Sequence, residues 1–160
     1  MEQGIEHAYR PDHPTVVVGI DGDLNFTSVL RAGARLAGLA GAELMVAYVI
    51  PSMTADVVVP CGPQDLVEAE ASLFADVVDA LRDFDGRWRL TTRHGDPAQE
   101  LICLARHIGA EAIVVGAQTP GWFTHVRRLA SPSVAERLAR NQQFPVVVVP
   151  NSRQPQRQPV

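Results

Sequence analysis

The stretch "GDPAQELICLARHIGAEAIVVG" (95–116) contains a helix pattern that passes directly into a strand pattern. Pro97 suits the first turn of a helix, where its missing N–H would have had no partner. Apolar residues follow at helical spacing and are predicted to face the core: Leu101, Ile102, Ala105 and Ile108. A strand is predicted at 110–116, and its part "AIVVG" (112–116) is continuously apolar, which is typical of a strand buried on both faces. This helix–strand unit predicts a parallel α/β sheet.

The same alternation continues on both sides of this stretch. Strands are predicted at 15–21, 42–50, 87–94 and 144–150, and further helices near 26–40, near 64–84 and after Ser133. Apolar stripes define the inward helix faces: Val29, Ala32, Leu36, Ala37 and Ala40 in the first, and Leu66, Leu73, Val77, Leu81 and Phe84 in the second. The segment "RWRLTTRH" (87–94) alternates between apolar and polar residues, which indicates an edge strand. The predicted fold class is α/β, a three-layer α/β/α sandwich with a five-stranded parallel sheet.

Length and composition predict one domain in a cytoplasmic protein. The chain has 160 residues, of which 46% are apolar and 20% charged. Residues 1–13 and the Pro/Gln-rich tail 151–160 are predicted to be disordered, which leaves 14–150 as the domain. No signal peptide opens the chain, and no apolar run approaches the roughly 20 residues of a membrane span. Cys61 and Cys103 form no CxxC, so reduced thiols are expected, with Cys103 on a buried helix face.

The charge pattern argues against nucleic acid as a partner. The formal net charge is −4, and the Arg127–Arg128 pair is the densest basic cluster. Binding to a phosphate backbone requires a clustered cationic face. All 14 basic residues are Arg, so a phosphate-binding loop that depends on Lys is absent from the sequence.

The predicted fifth strand, "FPVVVVP" (144–150), presents a conflict between position and composition. As the last strand of a doubly wound sheet it should lie at an edge, yet it is as apolar as a central strand. A long apolar edge pairs with another chain unless it is covered. We therefore expect a homodimer through strand 145–149, in which each copy covers the other. The alternative is that Pro145 and Pro150 blunt the edge sufficiently for a monomer.

Ligands of such sheets bind beyond the carboxyl ends of the strands, where the strand order reverses. For the order 3-2-1-4-5 this crevice lies between strands one and four, beside Asp21 and Gly116. Asp21 can accept hydrogen bonds from a ribose hydroxyl or a base amine, or can simply form an Asp-Gly turn. Ser133-x-x-Glu136 is a capping-box pattern, and the N–H groups of the helix that it starts could receive a phosphate. Capping alone explains the same residues, so both interpretations stay open.

Other chemistry has no support in the sequence. The five histidines show no metal-ligand spacing, and neither GxSxG nor GxxxxGK[ST] occurs. We therefore predict no catalytic residues and no metal site, with weak ATP hydrolysis left open. Trp122 and Phe123 either cover the crevice or face another protein.

From about residue 14 to residue 150 the chain resembles the universal stress protein family. The segments that carry the resemblance are "VVVGIDGD" (16–23), "HGDPAQELICLARHIGAEAIVVG" (94–116) and "PSVAERLARNQQFPVVVVP" (132–150). The resemblance implies a Rossmann-like sheet of the adenine nucleotide alpha hydrolase-like type, with strand order 3-2-1-4-5. It also implies a dimer through the last strand in many members. Some members bind ATP and others do not.

The ATP-binding members carry G-x2-G-x9-G-[ST] after strand four, and this chain departs from that motif. Val115 and Gly116 match its start, but Thr119 stands at the second glycine, with Gly121 two residues later. Pro132 stands at the last glycine and is followed by Ser133; it lies 16 residues after Gly116, where the motif implies 13. The resemblance implies these nucleotide contacts: Asp21, Val49, Gly116, Ser133 and Val134.

Two functions follow from the resemblance and its departures. The first is a non-catalytic, dimeric stress-response protein whose adenine-nucleotide site is weak or lost, and which acts through an unidentified protein partner. The alternative is a nucleotide-dependent switch that binds ATP or AMP. In the first case no cofactor is required, and in the second it is ATP or another adenine nucleotide. A third hypothesis is an enzyme that shares only the fold with the family, and the missing catalytic motifs argue against it.

Overall fold

A computed structural model of the chain describes residues 13–21, 26–51, 63–117 and 133–150. Its elements are β1 (Thr15–Ile20), α1 (Phe26–Ala40), β2 (Glu43–Ile50), α2 (Pro63–Ala80), β3 (Trp88–His94), α3 (Pro97–Ile108), β4 (Ala112–Gly116), α4 (Val134–Asn141) and β5 (Val146–Val149). The five strands form one sheet in the order β3-β2-β1-β4-β5, and every neighbouring pair is parallel. The predicted fold class and strand order are therefore confirmed. The predicted disordered segments 1–13 and 151–160 lie, apart from residue 13, outside the described residues.

The sheet is covered on both faces, which gives three layers. Because side chains alternate along a strand, β1 sends Val16 and Val18 to one face and Val17 to the other. Helices α1 and α2 pack on the first face, and α3 and α4 pack on the second. The central strands are buried on both sides, as their unbroken apolar runs predicted.

Helix α1 has the predicted bounds but not the predicted buried face. Its buried residues are Phe26, Val29, Leu30, Gly33 and Ala37. Ala40 is exposed and Leu36 is half-buried, so the expected stripe is displaced. Gly33 lies on the buried face close to the sheet, since an added Cβ would lie 2.3 Å from Cγ2 of Val18. A pattern of apolar residues does not mark a glycine as part of the buried face.

Helix α3 buries Leu104 in place of Ile102, and Cys103 is exposed. The expectation that Cys103 lies on a buried face was therefore wrong. The buried face of α3 is Ala98, Leu101, Leu104, Ala105 and Ile108. At 100° per residue, position 103 points away from the centre of this face.

The two sheet edges differ as their compositions suggest. Strand β3 forms one edge, with Trp88 and Leu90 packed against the core. Strand β5 forms the other, and Val147 and Val148 are both exposed. Within the described ranges, no helix has the length and hydropathy that a membrane span requires.

Candidate functional site

The carboxyl ends of the strands bring several of the predicted site residues into one row. Ile20 of β1 pairs in register with Tyr48 of β2, so Asp21 lies level with Val49, one position further along. On the other side β1 and β4 pair through Val18 and Val114, which places Gly116 level with Ile20. Asp21 is exposed at this edge, whereas Val49 and Val115 are buried beneath it.

Gly116 provides the close approach that this edge requires. A Cβ at Gly116 would lie 3.1 Å from Cγ2 of Val29, near the start of α1. Any side chain here would therefore press against α1, and the same lack of a side chain keeps the backbone accessible at the end of β4. Gly116 thus has a packing role in the described structure, independent of any ligand.

Helix α4 begins with a complete capping box. Ser133 Oγ accepts a hydrogen bond from the Glu136 N–H at 3.1 Å, and the Ser133 N–H donates to Glu136 Oε2 at 2.8 Å. The Ser133 carbonyl accepts from the Arg137 N–H, the first bond of the helix ladder. Two N–H groups of the first turn, those of Val134 and Ala135, have no acceptor among the described residues. This helix start was predicted correctly as a cap.

A second side-chain pair ties the starts of α3 and α4 together. Asp96 caps α3, since its Oδ1 accepts from the Gln99 N–H at 3.0 Å. Its Oδ2 accepts from Nη1 of Arg137, one turn into α4, at 2.5 Å. This hydrogen bond, aided by the charge of Asp96 and opposed by desolvation, raises the pKa of Arg137. Arg137 therefore stays charged at every relevant pH.

Carboxylates already meet the positive ends of both helix dipoles at this edge. Glu100 lies in the first turn of α3 and Glu136 in the first turn of α4, and Asp96 lies between them. Asp21 adds a further carboxyl group at the end of β1. An incoming phosphate would meet these negative charges, and at the start of α4 it would have to compete with the capping box for backbone N–H groups.

Part of the predicted site cannot be placed. Thr119, Gly121, Pro132, Trp122 and Phe123 lie outside the described residues. Within the residues that are described, His, Cys, Asp and Glu form no group that could hold a metal ion.

The sequence profile of the universal stress protein family matches residues 13–150 of this chain. The chain belongs to this family. No curated protein sequence matches it. Three solved structures of the family resemble this universal stress protein over nearly their whole length.

A family member from Burkholderia pseudomallei is 26% identical, with a TM-score of 0.61; the match covers 86% of this chain and 96% of that one. A universal stress protein in complex with cAMP is 24% identical with a TM-score of 0.63, covering 88% and 98%. One from Archaeoglobus fulgidus, in complex with dAMP, is 22% identical with a TM-score of 0.59, covering 88% and 98%.

The Asp96–Arg137 pair was not predicted from the sequence. Asp96 precedes a proline at the first helical position, which is a helix-start signal that could have identified it as a cap. Arg137 follows the cap Ser133 by one turn, but nothing in the sequence connects it to Asp96. A contact between the starts of two helices depends on how both pack on the same sheet face.

Proposed function

We propose that this chain is a non-catalytic, cytoplasmic universal stress protein whose adenine-nucleotide site is weakened at the phosphates. The observation that carries the proposal is the capping box of α4, which engages the groups that a phosphate would use. The site residues named from the sequence remain predictions.

The count of donors at α4 supports this proposal. Glu136 Oε2 accepts the Ser133 N–H, and Ser133 Oγ accepts the Glu136 N–H. The N–H groups of Val134 and Ala135 and the hydroxyl proton of Ser133 are what a ligand could still recruit. Glu136 also brings a negative charge to the helix end where an anion would dock.

The departures from the nucleotide-binding motif act in the same direction. Pro132 has no N–H, so the residue before the cap contributes no donor. Thr119 places a β-branched side chain where the motif has glycine. Losing one charge-assisted hydrogen bond costs about 1.5–3 kcal/mol, which weakens binding by roughly ten- to a hundredfold.

Calorimetric titration of the full chain with ATP tests the proposal. We expect no saturable heat at micromolar ATP, and a gain in affinity of at least about tenfold when Thr119→Gly and Pro132→Gly are combined with a loop shortened to the motif length. Tight binding of ATP by the unmodified chain would refute the proposal. An unchanged affinity in the restored variant would show that these two residues are not the cause.

A charge variant tests the role of the capping box separately. Glu136→Gln keeps a hydrogen-bond acceptor for the Ser133 N–H and removes the negative charge. We expect it to raise the affinity for ATP by a few fold. Glu111→Gln is the matched control, because Glu111 is an exposed acid at the amino edge of the sheet, before β4. Equal gains in both variants would indicate an effect of net charge alone.

The alternative function is a switch that responds to an adenine nucleotide with a single phosphate. Relatives have been solved with cAMP and with dAMP, and neither ligand needs a β- or γ-phosphate cradle. The departures of this chain lie in the phosphate loop, whereas Asp21 and Val49, on the other side of the crevice, match the family. Saturable binding of AMP or cAMP without binding of ATP, abolished by Asp21→Asn, would favour the switch.

We further propose that the protein is a homodimer through β5. The carbonyl of Pro145 accepts a hydrogen bond from the N–H of Ile113 in β4, and that of Val149 accepts one from Ala117, the residue after β4. Because backbone groups alternate in direction along a strand, those of Val147 also point to β4, and those of Val146 and Val148 point to the open edge. The exposed side chains of Val147 and Val148 line that edge. The open edge and its apolar side chains support pairing with a second copy.

The directions of the backbone N–H groups of β5 determine which proline substitution tests the dimer. Val148→Pro removes an N–H from the open edge and leaves the β4–β5 ladder intact, so it should release folded monomers. Val147→Pro removes an N–H that points to β4 and should destabilise each subunit instead. Sedimentation at micromolar concentration distinguishes the outcomes, and a monomeric unmodified chain would refute the dimer.

A further inference from the structure

Helix α2 has a second apolar stripe that faces solvent. Its members Val67, Phe74 and Val78 are 66%, 51% and 43% exposed. Their spacing, with Ala71 between them, is that of one face of a helix. The buried stripe of the same helix, Leu73 and Val77, contacts the core and holds α2 on the sheet, whereas the exposed stripe lies outside the buried core.

The exposed stripe continues onto the edge of the sheet. The ring of Phe74 lies against Trp88 of β3, with 6.0 Å between ring centroids and 42° between ring planes. Trp88 is half-buried and packs on the core below. Val67, Ala71, Phe74, Val78 and Trp88 therefore form a continuous surface, which we call the α2 stripe.

The charged residues of helix α2 itself all have one sign. Helix α2 contains acidic residues and no Arg, Lys or His. At 100° per residue, Glu68 and Asp79 border one side of the stripe and Glu70 borders the other. Asp79 lies 3.6 Å from Arg82, but both side chains are about three-quarters exposed, and such pairs contribute little.

We propose that the α2 stripe is a docking surface for a basic amphipathic helix of another protein. The apolar face of such a helix would cover Val67, Phe74 and Val78, and its Lys or Arg residues would pair with the flanking carboxylates. This complementarity selects among the possible occupants. A second copy laid on the same stripe would bring carboxylates against carboxylates, and an anionic membrane surface would repel the helix.

A designed peptide tests the proposal on the full chain. The probe is a Leu/Lys amphipathic helix of about 18 residues, close to the length of α2, and the control peptide has Glu in place of every Lys. We expect micromolar binding of the Lys peptide, no binding of the Glu peptide, and a loss of at least about tenfold between ~50 mM and ~500 mM NaCl.

Variants of the protein distinguish binding at the α2 stripe from attraction by the net charge of the protein. Phe74→Ser, and independently the double variant Val67→Ser with Val78→Ser, should each lower the affinity for the Lys peptide at least about tenfold. Leu39→Ser is the matched control, since Leu39 of α1 is 87% exposed and lies outside the α2 stripe. The double valine variant avoids the loss of the Phe74–Trp88 contact, so a folding defect in Phe74→Ser leaves the test intact.

Three outcomes would overturn the proposal. Equal affinities in the stripe variants and in the unmodified chain would show that the stripe does not bind the peptide. Equal losses in Leu39→Ser and the stripe variants would show a non-specific effect. An unmodified chain that self-associates in sedimentation, and dissociates on Val67→Ser with Val78→Ser, would show that a second copy covers the stripe.

Discussion

Gly33 and Gly38 of α1 form a matched pair that tests how α1 is held on the sheet. A Cβ at Gly33 would lie 2.3 Å from Cγ2 of Val18, whereas a Cβ at Gly38 would meet nothing within 4 Å. Replacing a helical glycine by alanine stabilises the helix by about 0.5–1 kcal/mol through backbone entropy and propensity. This gain applies to both positions, so the difference between the two alanine variants isolates the steric term.

The expected size of that difference follows from overpacking. Inserting a methyl group into a well-packed core costs about 1–3 kcal/mol. Gly38→Ala should therefore raise the free energy of unfolding by about 0.5–1 kcal/mol, and Gly33→Ala should leave it about 1–3 kcal/mol below that of Gly38→Ala. Urea unfolding followed by circular dichroism measures both values. A Gly33→Ala variant as stable as Gly38→Ala would refute the close contact between α1 and Val18.

Substitutions at three further positions have defined outcomes. Ser133→Ala should lower the free energy of unfolding by about 1 kcal/mol and Ser133→Gly by only a few tenths, because glycine tolerates the cap conformation; urea titration compares them. Gly109→Ala should lower the free energy of unfolding by about 1–2 kcal/mol, because Gly109 has a left-handed backbone with φ 64°. A Cβ there would meet no neighbouring atom, so the cost comes from the backbone conformation alone, and Gly109→Asn should cost less. Arg137→Met should cost about 0.5–1 kcal/mol by loss of the bond to Asp96. Because the bond to Asp96 raises the pKa of Arg137, its contribution to stability is present below the ordinary pKa of arginine wherever Asp96 is ionised, so stability curves should show that contribution to be constant between about pH 7 and 9.

The fold was predictable because the apolar pattern and the helix-start signals agree along most of the chain. The observed strands are shorter than the predicted ones by up to two residues at an end. For β4, 110–116 was predicted and Ala112–Gly116 is observed. Helix α2 ends at Ala80, not near 84, yet Leu81 is buried and Phe84 packs on the core. The apolar stripe continues beyond the helix because core contacts do not require helical backbone.

The buried helix faces were less predictable than the helices themselves. Gly33 allows α1 to lie against Val18 because it has no side chain, and hydrophobicity assigns it no role. The pairing of Asp96 with Arg137 joins residues 41 positions apart, and only the placement of two helices on one sheet face brings them together. Packing geometry decides both features, and a single sequence contains no direct signal for it.

Ser133-x-x-Glu136 shows why the nucleotide question cannot be answered from the motif alone. A helix cap and a phosphate site use the same N–H groups, so the same residues fit both roles. What separates them is the number of donors left after the cap has formed. Here the cap engages two backbone N–H groups, and Pro132 provides none before it. The donors that remain are the N–H groups of Val134 and Ala135 and the hydroxyl of Ser133. We propose that these neutral donors beside a carboxylate suit water or a neutral ligand better than a triphosphate.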